Sequence, residues 1–157
     1  MSPSAPRLLL DLQQALERPR RLPSREEFES WVRAALAAAG HRAGELELTI
    51  RIVEAGESAR LNERYRRRAG ATNVLSFPFH TPPGVELPLL GDLVICAQVV
   101  EREAQQQGKD PAAHWAHMVV HGVLHLLGHD HTGARQAREM EALEIAILAG
   151  LGYDNPY

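Results

Sequence analysis

Asp110-Pro111 and Gly128 bracket a segment with little choice of conformation. An N-capping aspartate, followed by a proline whose missing N–H and fixed φ suit the first turn, starts a helix. A glycine seventeen positions after that proline can end it in a left-handed turn and send the chain back. Between them lie His114, His117, His121 and His125. At 100° per residue these four fall on one narrow stripe, so the helix carries a line of imidazoles.

Two histidines at i, i+4 stand one above the other, close enough to reach one metal ion. A longer set is excluded by geometry. His117 and His125 are eight positions apart, about 12 Å along the axis, whereas Zn–N bonds are only ~2.0–2.1 Å. One pair plus a residue from elsewhere is therefore required. The pair His121/His125 precedes the glycine turn, which points to His129 or His131 as the third ligand. The spacing His121-x-x-x-His125-x-x-Gly128-x-x-His131 matches the metal-binding spacing of the metzincins and favours His131. Asp130 can then support the site by a hydrogen bond to a ligand. His117 is assigned to supporting or facing the substrate, while His41, His80 and His114 are read as ordinary satisfied histidines. Three neutral nitrogens and an open position describe a catalytic zinc site, one ion per chain, with bound water acidified to a pKa near ~7.

In zinc peptidases the residue after the first histidine is a glutamate that serves as general base. Here it is Gly122. Phosphodiester cleavage makes different demands, an anionic transition state to stabilise and a hydroxyl to activate, and a metal with an arginine supplies much of both. RNA brings its own nucleophile in the 2′-hydroxyl. The missing glutamate turns the reading from proteolysis toward phosphoryl chemistry.

The remaining chain is that of one ordinary globular domain. Its 157 residues, 45% hydrophobic and 24% charged, suffice for a core. A single cysteine, Cys96, excludes an internal disulfide and fits a reducing compartment. Leu8-Leu9-Leu10 is too short for a signal peptide or membrane span, so a soluble cytoplasmic protein is expected. A net charge of −3 argues against nucleic-acid binding through bulk positive charge. Yet Arg60, Arg64, Arg66, Arg67 and Arg68 fall within nine residues, opposed by Glu139, Glu141 and Glu144 near the other end.

Residues 1–7 read as frayed. Strands are expected over Leu8–Gln14, Leu46–Ile52, Asn73–Phe77 and Asp92–Cys96, the last two forming an antiparallel pair. His80 to Leu90, with Pro82, Pro83, Gly84 and Pro88, reads as a loop. Helices are expected from Ser24 (a capping box with Glu27) toward Gly40, over Ser58–Arg67, Gln98–Gln107, Pro111–Leu127 and Arg135–Ala149. The fold class is α+β, a small mixed four-stranded sheet packed with helices around a central metal-binding helix, in the manner of the zincins.

At this point a family resemblance emerges. His121-Gly-Val-Leu-His125-Leu-Leu-Gly128-His-Asp130-His131 resembles the signature of the YbeY family, bacterial endoribonucleases also called rRNA maturation factors. Leu61-Asn62-Glu63-Arg64-Tyr65-Arg66, Thr72-Asn73-Val74-Leu75-Ser76-Phe77-Pro78, Gly91-Asp92-Leu93-Val94-Ile95, Ala113-His114-Trp115-Ala116-His117-Met118 and Leu151-Gly152-Tyr153 also match, in order, over about residues 45 to 157. The resemblance implies a metal-dependent endoribonuclease specific for single strands. It would act in ribosomal RNA maturation at the small-subunit RNA 3′ end and in ribosome quality control, with the small ribosomal subunit as partner. It carries the zinc ligands onto His121, His125 and His131 and an important arginine onto Arg66. His129 departs from the family, where tyrosine is common.

Arg66 is then expected to hold the scissile phosphate, with Arg64, Arg67 and Arg68 following the RNA backbone. Phe77, Phe79 and His80 are candidate stacking partners. Ser76 and Asp92 are candidates for positioning water or substrate, or equally for strand-end structure. Two other readings compete. One is a metallopeptidase, against which Gly122 speaks. The other is a non-enzymatic assembly factor whose structural metal is closed by Cys96 or His129. Imidazole ligands also suit nickel, iron and copper.

Overall fold

Alternation decides the sheet. In the computed structural model, which describes residues 7–41, 44–80, 82–85, 88–129 and 132–157, Leu48, Ile50 and Ile52 are fully or almost fully buried along β2 (Glu45–Val53). It is flanked by β1 (Arg7–Ala15) and β4 (Leu89–Cys96), both parallel to it, and β3 (Val74–Pro78) closes the order β1-β2-β4-β3 antiparallel to β4. The mixed four-stranded sheet and its antiparallel pair are those expected. One boundary differs: β4 begins at Leu89, inside the segment read as a loop. Leu89 and Gly91 pair with β2 across a register shift at Glu47/Leu48, so this start depends on a partner distant in sequence.

Because side chains alternate across a strand, the sheet has two distinct faces. Leu48, Ile50, Leu93, Ile95 and Val74 point to one, where α1 (Arg25–Ala38), α4 (Pro111–Leu126) and α5 (Ala134–Gly150) build the main core. Phe28 anchors it edge-on to Trp31 and Trp115, with centroids 5.6 and 5.9 Å apart. Val53, Leu75, Val94 and Cys96 point to the other face and pack with Val99. There α2 (Ala55–Arg66) and α3 (Ala97–Gln107) adjoin the sheet.

Both expected helix starts are present. Ser24 Oγ accepts from the Glu27 amide while Glu27 accepts from the Ser24 amide, and Asp110 accepts from the Ala112 amide with Pro111 in the first turn. Helix α2, however, starts at Ala55 rather than Ser58. Ser58 is buried and instead bonds both the amide and the carbonyl of Thr72, tying α2 to the approach of β3. No helix among the described residues is long and apolar enough to cross a membrane.

Candidate active site

Two histidines of the α4 stripe meet one carboxylate. Glu144 of α5, fully buried, accepts from His121 Nδ1 on Oε1 at 2.5 Å and from His117 Nε2 on Oε2 at 3.3 Å. The Tyr157 hydroxyl donates to Oε2 as well. Burial alone pushes this carboxyl up, but the hydrogen bonds from His117, His121 and Tyr157 outweigh it and hold its pKa down at about 2. Burial and the adjacent carboxylate raise the Tyr157 phenol far above its ordinary range, so it remains a donor.

An ionised carboxylate only accepts, so the proton on His121 sits on Nδ1 and Nε2 is the acceptor nitrogen of the ring. That is the arrangement a metal-binding imidazole requires. His125 lies one turn further, its ring centroid 5.6 Å from that of His121. Helix α4 then ends as expected. Gly128 takes φ +96°, its amide donates to His125 and the His129 amide reaches back to Leu124, both at 3.0 Å. The donor chemistry of His121 and His125 therefore fits zinc. Among the described residues no group of three His, Cys, Asp or Glu side chains is close enough to hold an ion. His131 and Asp130 lie outside the described residues. Cys96 is a buried free thiol on the sheet face opposite α4, and nothing brings it to these histidines.

His121 and His125 open onto a cleft of about 500 Å³ along edge strand β3, whose far wall is Tyr65 and Arg66 of α2. The arginine-bearing motif and the histidine motif, about sixty positions apart in sequence, thus face one another. Tyr65 packs edge-on against Phe77, centroids 5.2 Å apart, and the Arg64 guanidinium lies over the Tyr65 ring at 5.4 Å. Arg64, Arg66, Arg67 and Arg68 are all exposed. Arg67 ends α2 in the left-handed region at φ 54°, a conformation that favours glycine. Ser76 lines the cleft and its hydroxyl donates to the Gly122 carbonyl at 3.4 Å.

Asp92 is elsewhere. It is exposed, shares the parity of Val94 and Cys96, and so projects from the sheet face opposite α4. With Phe79 it lines a second groove, of about 710 Å³. Phe77 borders both.

Glu144, Tyr157 and Asn73 were not singled out by the sequence reasoning as site residues. Glu144 does carry a signal, an acid inside the apolar run Leu143-Glu144-Ile145-Ala146-Ile147-Leu148. Asn73 lines the cleft with both ends of its amide engaged. Its Nδ2 donates to Glu103 and its Oδ1 accepts from the Val74 amide. Glu103 in turn bonds His114 Nε2, and burial lowers the His114 pKa despite that carboxylate. His114 Nδ1 is buried without a hydrogen-bond partner among the described residues, so the ring is only half satisfied.

The fold is shared with the solution structure of a Thermotoga maritima protein, at a TM-score of 0.57 and 18% identity over 92% of each chain. In sequence, the chain is 57% identical over 155 residues to the endoribonuclease YbeY of Alkalilimnicola ehrlichii, covering 98% of this chain and 93% of that one. The family model for endoribonuclease YbeY matches residues 14–152. With a match of that extent, and with the family's histidine and arginine motifs facing one cleft, the chain belongs to the endoribonuclease YbeY family.

Proposed function

We propose that this protein is a zinc-dependent endoribonuclease specific for single strands. It acts in the cytoplasm on ribosomal RNA at the small-subunit 3′ end, with the small ribosomal subunit as partner and ribosome quality control as a further role. The observation that carries the proposal is the single cleft lined by Arg66 on one side and His121 and His125 on the other. His121, His125 and His131 would hold the ion, which when bound supplies Lewis acidity and an acidified water. Glu144 keeps the proton of His121 on Nδ1 and so makes Nε2 the nitrogen that would ligate. Arg66 receives the scissile phosphate across the cleft and offsets the charge that grows on it, by two parallel hydrogen bonds where the substrate lies in plane. Arg64, Arg67 and Arg68, exposed beside it, follow the flanking phosphates. Asp130 supports a ligand. Ser76, bonded to the helix backbone at the cleft floor, orients substrate. His117 acts through Glu144 rather than on RNA.

The metal is tested by removal. A single-stranded RNA should be cut and the same sequence in a duplex spared. Cutting should stop after dialysis against a chelator and return with one equivalent of zinc. Cleavage indifferent to chelation, or casein turnover in place of RNA cleavage, would overturn the proposal.

The backbone-tracking role predicts an opposite pair of effects at Arg67. Replacing it by glycine relieves the left-handed cap and should raise stability by about 0.5–1 kcal/mol. It should also weaken RNA binding, with the slope of log affinity against log salt falling by about 0.7, one phosphate contact on a single strand. Thermal melts and a salt titration read the two. An Arg67→Gly variant that binds RNA as tightly as wild type would remove Arg67 from the interface.

A further inference from the structure

After α5 the chain turns back under the histidine helix. Gly152 adopts φ +91°, and the Tyr153 amide donates to the Leu148 carbonyl at 2.9 Å. The segment is then fastened at two points. Lys109 Nζ, from the turn between α3 and α4, donates to the Pro156 carbonyl at 2.6 Å. The Tyr157 amide donates to Asn155 Oδ1 at 2.9 Å, which fixes the direction of the tyrosine. Although its ring is largely exposed, its edge meets His117 with centroids 5.3 Å apart at 82°, and its hydroxyl reaches Glu144.

Glu144, fully buried, therefore receives donors from three described side chains on its two oxygens. His121 takes Oε1. On Oε2 the His117 contact is long, 3.3 Å, and the tyrosine hydroxyl donates to the same oxygen. Without the hydroxyl, the carboxylate loses the partner that holds Oε2 away from His121, and its plane is free to swing toward His117. His121 would then lose the firm acceptor that selects the Nδ1–H tautomer and aims Nε2 into the cleft.

We infer that Tyr157 is a positioning residue for the metal site, acting through Glu144 on His121, and that segment 152–157 is the clasp that delivers it. The inference rests on the proposed zinc site, since its consequence is metal retention. Tyr157 contacts neither substrate nor ion.

Tyr157→Phe keeps the ring against His117 and removes only the hydroxyl. Zinc affinity, measured by competition with a chromogenic chelator, should fall by about 3- to 10-fold, less than the 10- to 100-fold typical of a direct partner of a ligand. In metal-free protein at fixed pH, the ¹⁵N spectrum of the histidine rings should show His121 moving from a single Nδ1–H tautomer to a mixture. A purely structural tyrosine would leave that signal unmoved. Wild-type affinity together with a wild-type His121 tautomer would overturn the inference. Should the phenylalanine variant fail to fold, Lys109→Met loosens the clasp from its other end and should give the same two changes at smaller size. His125→Ala is run alongside. If wild type binds zinc no better than His125→Ala, the zinc reading has failed, and the tautomer measurement alone decides whether Tyr157 positions His121.

Discussion

Gly122→Glu, which would restore the glutamate of the zinc peptidases, is expected to unfold the protein rather than make it a peptidase. The sequence alone presents Gly122 as a missing catalytic base. The structure gives the position a packing reason. A Cβ there would lie 2.7 and 3.0 Å from the two methyl carbons of Leu93, itself fully buried in β4. Glycine is what lets α4 lie this close to the sheet, and a glutamate would drive four further heavy atoms and a charge into the same core. Overpacking costs about 1–3 kcal/mol and an unpaired buried carboxylate about 3–5 kcal/mol. The gain in helix propensity over glycine returns under about 1 kcal/mol. The net loss, about 3–7 kcal/mol, is enough to unfold a domain at the lower end of the usual ~5–15 kcal/mol. Circular dichroism and a thermal melt check it. A well-folded variant with the wild-type midpoint would show that α4 can retreat from Leu93.

His125→Ala should do the reverse, sparing the fold and abolishing the chemistry. His125 is only half-buried, near the end of α4 and on the cleft side, so its loss opens no core cavity. A centre reduced to two histidine ligands should release zinc at micromolar protein. Cleavage of single-stranded RNA under single-turnover conditions should fall by about 10³-fold or more, which corresponds to ~4 kcal/mol of lost transition-state stabilisation. The wild-type circular dichroism spectrum should be retained. Undiminished cleavage by the variant would assign the activity to another nuclease in the preparation.

The local rules were legible and the distant ones were not. The Ser24–Glu27 box, the Asp110-Pro111 start and the left-handed stop at Gly128 are each decided within a few residues, and all three stand in the structure. The α+β class followed from such pieces. Ser58 shows the limit. From sequence it is expected to open the helix, but it lies inside α2 and its hydroxyl is spent on Thr72, fourteen positions away. The histidine stripe could be placed on a helix by spacing, yet its carboxylate partner comes from α5, twenty-three residues beyond His121. No periodicity records which helices will lie side by side. Asp92 lies away from the histidines for a related reason. Its motif stands beside the others in sequence, but one step along a strand reverses the face, and only the register with β2 and β3 reveals which face is which.

That two-faced sheet has a dynamic consequence. The histidines ride on α4 in the main core, and the arginines ride on α2 across the opposite face. Both layers pack on β4, and their arginines and histidines reach one cleft along β3, five residues long and paired with β4 at the edge of the sheet. The residues proposed to hold phosphate and metal thus line a cleft whose shared wall is a short edge strand. A local opening that frees β3 from β4 would remove that wall and undo the cleft while α2 and α4 stayed packed on β4. Competence to cut RNA is then a property of this seam, and it can be lost well below the temperature at which the domain unfolds.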